Sequence, residues 1–352
     1  MTSSIDRDGQ TVASAAEAPS LESSLTKSSP DPAVARMRRR LTVNSGLDRF
    51  SGLYVLAGVI VLFGVWVPNL FLTALNLRVI LGGQAVTAIT AFAVLVPLAC
   101  GTFDLSVAGT LGASLMIVLE LQSRGINPVI AVLVSLAFGA LIGAINGVVV
   151  IRFKVDSFVA TLGMSSVLTA VAYWVSGGFA ITQGISSSFV RVANAQWLTI
   201  PAPVYYMVII GLILWVFLDL RPTGRSLYAV GGNARAARLA GIRVDRLVLL
   251  SLVVSGFLAA LAGVLLASLL GSGDPTVGPP YLLPAFTAVF LGATQIKRGR
   301  VNVPGTVIAI YLLATGVKGL QLVGAPSYIN DLFNGIALIL AVALAVRFRK
   351  AT

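Results

Sequence analysis

The chain is 352 residues long, 57% hydrophobic and only 11% charged, with a mean hydropathy of +0.93. So much apolar surface cannot be hidden in a soluble core of this size, and the chain reads as an all-α polytopic membrane protein. The net charge of +12 lies in short basic clusters between apolar runs, which argues against nucleic acid as a partner, while one cysteine and no histidine exclude a disulfide framework, His-based zinc sites and imidazole proton chemistry.

Residues 1–45 are rich in Ser, Ala, Thr and Pro and read as a disordered cytoplasmic tail, with a transmembrane domain expected over 46–350. Arg36, Arg38, Arg39 and Arg40 close the tail and favour an inside N-terminus. About ten apolar runs follow, each near the length of a bilayer-crossing helix: 53–72, 79–99, 105–122, 128–150, 157–177, 203–219, 247–270, 281–296, 304–322 and 328–346. With both termini in the cytoplasm, the inward connections should be basic. Arg152 and Lys154, the arginines of 221–246, Lys297 with Arg298 and Arg300, and the closing Arg347, Arg349 and Lys350 all fit; the connection holding Asp104 has no Lys or Arg. In the fourth run Gly139, Gly143 and Gly147 recur every four residues, a spacing that lets helix backbones approach closely, within the chain or across a subunit interface. The segment 178–203 is long for a turn and offers an outside partner a place to dock.

Between the sixth and seventh runs lies Arg221 to Arg246, with six arginines. Asn233 is a good N-cap and Gly241 a good left-handed terminator, so a helix is expected over 234–240. Barely two turns long, it is not stable alone and must dock on something. Two readings stay open here: a loop whose arginines only set topology, or a rigid lever that meets a partner below the membrane.

Groups able to do covalent chemistry are few. Five of the 13 acids lie in the tail, no G-x-x-x-x-G-K-[ST] phosphate loop occurs, and neither a paired-carboxylate site nor a nucleophile elbow is present, so no catalytic, metal or cofactor site is expected in this chain. Glu120 and Lys318 sit near run ends, where snorkelling to the interface is the ordinary reading. The remaining candidate is the stretch Cys100 to Val107, in which Asp104 either caps the following helix or meets a passing solute. Phe103, Asp104 and Ser106, with Asn146, Phe158 and Thr161, are candidates for a weakly polar, aromatic-lined translocation path. Any energy source must come from a partner or a gradient, and an ion-coupled secondary transporter of small polar solutes is the alternative to a partner-driven one.

Across about Leu81 to Arg347 the chain resembles the membrane permease subunit of the ribose, xylose, galactose and autoinducer type of ABC importers. The likeness is carried by Gly224-Arg225, by Tyr228-Ala229-Val230-Gly231-Gly232-Asn233 and by Ala236-Ala237-Arg238-Leu239-Ala240-Gly241-Ile242, which look like the family's cytoplasmic coupling motif. Support comes from Asp104-Leu105-Ser106-Val107, from Asn146-Gly147 with Phe158-Val159-Ala160-Thr161-Leu162-Gly163, and from Asp274-Pro275-Thr276-Val277-Gly278. The resemblance implies ten helices, a pair of identical or homologous permeases in the bacterial inner membrane, a cytoplasmic ABC ATPase that uses ATP and Mg, and a soluble periplasmic sugar-binding protein. It also implies that Gly231, Gly232, Asn233, Arg235, Ala237, Arg238, Leu239 and Gly241 form the coupling segment that enters the ATPase. Two departures stand out: the basic Leu291 to Arg300 replaces a Gly-Gly-x-x-x-x-Gly-Gly turn, and Leu283-Pro284 replaces an acid.

Overall fold

A computed structural model describes residues 50–297 and 299–351, with side chains as far as Leu344; the expected tail, 1–45, lies outside the described residues. The described chain is mostly helical. In order come α1 (Ser51–Trp66), α2 (Pro68–Phe71), α3 (Ala74–Ala99), α4 (Val107–Ser123), α5 (Pro128–Arg152), α6 (Ser157–Ser176) and α7 (Ser187–Asn194). A two-stranded hairpin, β1 (Gln196–Trp197) and β2 (Ile200–Pro201), precedes α8 (Ala202–Trp215), whose last turn continues as π-helix over Val216–Leu220. Then follow α9 (Pro222–Gly232), α10 (Ala234–Leu239), α11 (Val244–Leu270), α12 (Leu282–Gly292), α13 (Val303–Leu322) and α14 (Ile329–Ala351).

Six of these segments are long and apolar enough to cross a membrane: α3, α5, α6, α8 with its π-helical turn, α11 and α13. Ser51–Trp66, Val107–Ser123, Pro279–Gly292 and Ile329–Leu344 are apolar but shorter. Each of the ten apolar runs thus falls on a helix.

Helix starts follow the capping residues. Thr73 accepts from Asn76 N at 3.2 Å to begin α3, Asn127 from Val129 N at 2.9 Å before Pro128 of α5, and Asp156 from Phe158 N at 2.9 Å to begin α6. Asn302 does more than cap α13. Its Oδ1 accepts from Gly305 N, while its Nδ2 donates to Gly292 O, Gln295 O and Arg300 O at 3.0–3.2 Å, which fixes the whole α12–α13 turn.

The core is organised on α11, which packs against α3, α4 and α5 and buries Leu252, Ala259, Ala262 and Ala267. Small residues make that approach possible. A Cβ on Gly139 or Gly143 would run into Gly256 O or Leu252 O, and one on Gly256 would meet Gly139 O and lie 3.0 Å from Gly143 N. The four-residue glycine spacing of α5 therefore serves packing inside this chain. Lipid supplies no hydrophobic drive between helices, so backbone contact of this kind is what holds α5 on α11.

The segment 178–203 is tied down at the far end of α11. Ile181 and Gly273 exchange backbone bonds of 2.8 and 3.0 Å, Ala193 N donates to Ser268 Oγ, and Asn194 Nδ2 donates to Ser268 O and Leu269 O. At its tip Leu198 and Thr199 take left-handed φ of 49° and 68° to close the hairpin, as a two-residue turn between antiparallel strands demands.

The α5–α11 contact can be tested directly. Gly256→Val is expected to cost about 3 kcal/mol, the upper part of the range for overpacking, and to lower the apparent Tm of the detergent-purified protein by several degrees. Gly163→Val, at a position with open space, should leave the melt unchanged.

Candidate functional site

The arginine-rich segment folds as two helices rather than one. Sequence reasoning expected a helix only over 234–240, because Gly224, Gly231 and Gly232 make 222–232 a poor helix former; packing overrides propensity. Gly224 lies against the carbonyls of Phe217 and Leu218, where a Cβ has no room, so α9 folds directly onto the π-helical end of α8. Asn233, extended at φ −157°, then breaks the chain direction, and its side chain accepts from Arg235 N and Ala236 N at 3.0 Å to start α10.

The end of α10 is equally defined. Gly241 takes φ +81°, its N–H reaches Arg238 O at 3.1 Å, and Ile242 N reaches Ala237 O at 3.0 Å, a Schellman closure. Arg238 bonds Asp245 at the start of α11 at 2.9 Å, so this arginine braces α10 on its own chain. Ala237 is buried beneath the helix, while Arg235 is exposed and Leu239 is 92% exposed.

Behind this projection two backbones touch. A Cβ on Gly101 would lie 3.0 Å from Gly231 Cα, and one on Gly231 would collide with Ala99 O. Gly101 also holds φ +79°, a conformation that suits glycine. The last turn of α9 is thereby set directly on the break between α3 and α4. Gly232, one residue on, faces open space.

The basic α12–α13 loop completes the assembly. Lys297 Nζ lies 2.7 Å and Arg300 3.7 Å from the carboxylate of Asp219, which is 6% exposed in the π-helical turn. The Arg300 guanidinium sits 3.3 Å over the Tyr228 ring of α9, and Tyr228 donates to Val301 O at 2.9 Å. Burial pushes the Tyr228 phenol up to about 12, with Arg300 pulling it down and Asp219 pushing it up. The basic residues of this loop thus clamp α9 to the end of α8 and the start of α13.

The break itself is a pinned polar knot. Asp104, 1% exposed, accepts at Oδ1 from Ser106 N (3.0 Å) and Ser106 Oγ (2.6 Å); Ser106 Oγ in turn accepts from Asn146 Nδ2 of α5 at 2.9 Å. The backbone N–H groups of Phe103 and Leu105 go to Ser157 Oγ and Thr161 Oγ1 of α6 at 3.1 and 3.0 Å. Asp104 shapes the turn that precedes α4 and makes no bond to the N–H groups inside the helix. Its Oδ2 and Ser255 Oγ of α11 are both buried, and the two side chains interact with each other across the knot although their geometry falls short of a full hydrogen bond. Of the six path candidates, Asp104, Ser106, Asn146 and Thr161 meet in this buried knot. Phe103 and Phe158 stand at its surface, 37% and 46% exposed, with rings in edge contact at 6.3 Å.

The family model described as the branched-chain amino acid transport system / permease component matches residues 76–342, the α3–α14 body just described. The chain belongs to this permease family. Relatives of nearly the same length include the ribose import permease proteins of Bacillus subtilis strain 168, 35% identical over 85% of this chain and 92% of that one, and of Escherichia coli K12, 33% identical over 86% and 95%. The D-allose transport system permease protein of Escherichia coli K12 is 30% identical over 84% and 91%. The permease is accordingly a multi-pass membrane component of the sugar ABC-importer kind.

One internal correspondence in the permease went unread in the sequence. Asp104-Leu105-Ser106-Val107 recurs 170 positions later as Asp274-Pro275-Thr276-Val277, each preceded three residues earlier by a left-handed glycine, Gly101 at φ +79° and Gly271 at φ +63°. Asp274 Oδ1 accepts from Thr276 N at 2.8 Å and from Thr276 Oγ1, the same turn that Asp104 makes with Ser106. The first break, after α3, lies against Ser251 and Ser255 of α11, and the second follows α11 itself. A scan for D-x-[ST]-V preceded by glycine finds both. Asp219 escaped notice because its cationic partners lie 78 and 81 residues further along the chain.

The Asp219 clamp makes a prediction of its own. Asp219→Asn should cost about 1–3 kcal/mol, the range for a lost hydrogen bond to a charged group, and not more, because the Lys297 side chain stays 37% exposed to solvent. Thermal unfolding of the purified permease reads this, and an unchanged Tm would show that the ion pair does not hold the loop.

Proposed function

We propose that this permease moves a monosaccharide or similar small polyhydroxylated solute into the cytoplasm, driven by ATP that a cytoplasmic ABC ATPase hydrolyses with Mg, and that it binds no nucleotide itself. In this reading the four shorter apolar helices complete ten crossings, both termini face the cytoplasm, a second permease copy or homologue pairs with it in the lipid bilayer, and a soluble periplasmic protein delivers the solute. The relatives, ribose import permease proteins and a D-allose transport system permease protein, support the solute class.

The observation that carries the reading is the shape of α10. It is a two-turn helix closed at both ends by its own chain, yet it presents Leu239 at 92% exposure, and Gly232 just before it faces open space. In this reading the Leu239 side chain is the anchor that enters an apolar pocket of the ATPase. Gly231, Gly232, Asn233, Arg235, Ala237, Arg238, Leu239 and Gly241 form this coupling unit. Closure of the ATPase pair pushes α10, and the Gly231–Gly101 contact passes the displacement to the α3–α4 break, where Phe103 and Phe158 border the path and the buried knot of Asp104, Ser106, Asn146 and Thr161 supports them.

The test exploits the open space at Gly232. A Cβ at Gly232 meets nothing within 4 Å in this chain, so Gly232→Trp adds its bulk on the open side of the segment, and Leu239→Asp removes the exposed anchor. Both are expected to reduce sugar uptake and transport-linked ATP hydrolysis by the reconstituted complex at least tenfold, with the loss of an anchor of about 2 kcal/mol, while membrane insertion is retained. Arg238→Glu should do likewise, and Asp245→Asn, which breaks only the internal bond, should have the smaller effect. Wild-type uptake in Gly232→Trp and Leu239→Asp together, or uphill uptake by the permease without any ATPase, would end this reading.

A further inference from the structure

Away from the coupling segment, α12 leaves a gap in the helix packing. It has eleven residues, about 16 Å of helix against the roughly 30 Å of a hydrocarbon core, and it begins only after the Pro279–Tyr281 turn. The space beside its start is a cavity of about 420 Å³ between α3, α12, α13 and α14. Helices interrupted inside the membrane are where transporters tend to place solute sites, because the freed backbone and the gap line a polar cavity.

The lining here is polar in a specific way. Gln84 projects from α3, Tyr281 from the start of α12, Lys318 and Gln321 from α13, and Asn330 and Asn334 from α14. Gln321 Nε2 donates to Asn330 Oδ1 at 2.9 Å and Asn334 Nδ2 to Asn330 O at 2.8 Å, which holds the α13 and α14 amides in place. Gln84 and Lys318 make no hydrogen bond or ion pair with any described residue, and no carboxylate lines the cavity. Lys318, half-buried near the end of α13, lines the cavity.

We propose that this cavity is a solute-contact site of the permease itself, that it takes neutral polyhydroxylated molecules, and that Lys318 turns cationic ones away. The inference rests on the sugar-import reading and deepens it. Carboxamides both donate and accept, as do the hydroxyls of a polyol, and Lys318 adds donors only, so the set matches oxygen-rich solutes. An ammonium uncompensated by any lining carboxylate gives the cavity a positive potential, which repels amino sugars and other cations while tolerating neutral ones. The volume lies within the usual range for small-molecule sites. The larger grooves on the helix flanks are lined chiefly by aliphatic side chains and offer no such match.

The chain's one cysteine, Cys100, is buried, which gives a quiet background for thiol chemistry. In the complete complex in nanodiscs, Gln84→Cys is treated with an anionic and a cationic methanethiosulfonate reagent. The anionic reagent is expected to react about tenfold faster, and adding Lys318→Met should erase the difference while Lys318→Arg keeps it. In liposomes with D-ribose, D-allose and L-arabinose as probes, Lys318→Met and Gln84→Leu should lower uptake at least fivefold for the sugar carried. No labelling at Gln84→Cys, labelling without a charge preference, or undiminished uptake by Lys318→Met would each overturn the site and leave the import reading standing. Failure of the unaltered complex to take up any of the three sugars would remove both together.

Discussion

The contact on which the rest of this permease depends is the approach of two glycine backbones, Gly231 at the end of α9 and Gly101 at the break after α3. Neither position tolerates a Cβ without moving the other helix. Interfaces packed this tightly do not deform smoothly; they shift as units or hold. In the proposed reading, a push on α10 would therefore be delivered to the α3–α4 break instead of being absorbed in side-chain rotamers. The Asp219 clamp acts in the same direction, since Lys297 and Arg300 tie the α12–α13 loop to the base of α9. The coupling unit is thus in direct register with both short apolar helices, α4 and α12, that begin after a break.

Those two helices give the architecture its logic. Each follows a left-handed glycine and an aspartate turn. The environments differ in a telling way. Asp104 is sealed among α5, α6 and α11, whereas Asp274 lies in a partly exposed connection where Thr276, through its hydroxyl and N–H, holds the carboxyl below the ordinary carboxylate range. The same turn chemistry therefore serves a buried hinge at one break and a wet rim at the other.

Much of this was legible in the residues alone. The apolar runs locate the helices to within a few positions, Asn233 and Gly241 bound α10 as capping chemistry requires, and the Gly139, Gly143, Gly147 spacing marks the face that α11 covers. What escaped reading was long-range. The helical state of 222–232 depends on packing against Phe217 and Leu218 that its glycines alone do not advertise. The partner of the basic loop is a single aspartate far along the chain. The cavity around Lys318 draws its lining from four separate helices, so that near a run end the lysine looks like an ordinary interfacial cation. The buried state of Asn146 and Thr161 likewise follows from helix rotation, which an evenly apolar helix does not encode.

The central place of α11 has a consequence for how the protein is made. The glycine face of α5, at residues 139–147, is complete long before the ribosome reaches Gly256, the residue that closes over it. During that interval α3, α4 and α5 sit in the bilayer with their tightest surface uncovered, next to lipid or to the insertion machinery. The first half of the chain cannot mature as a finished subdomain, and its quality control must wait for the second half to arrive.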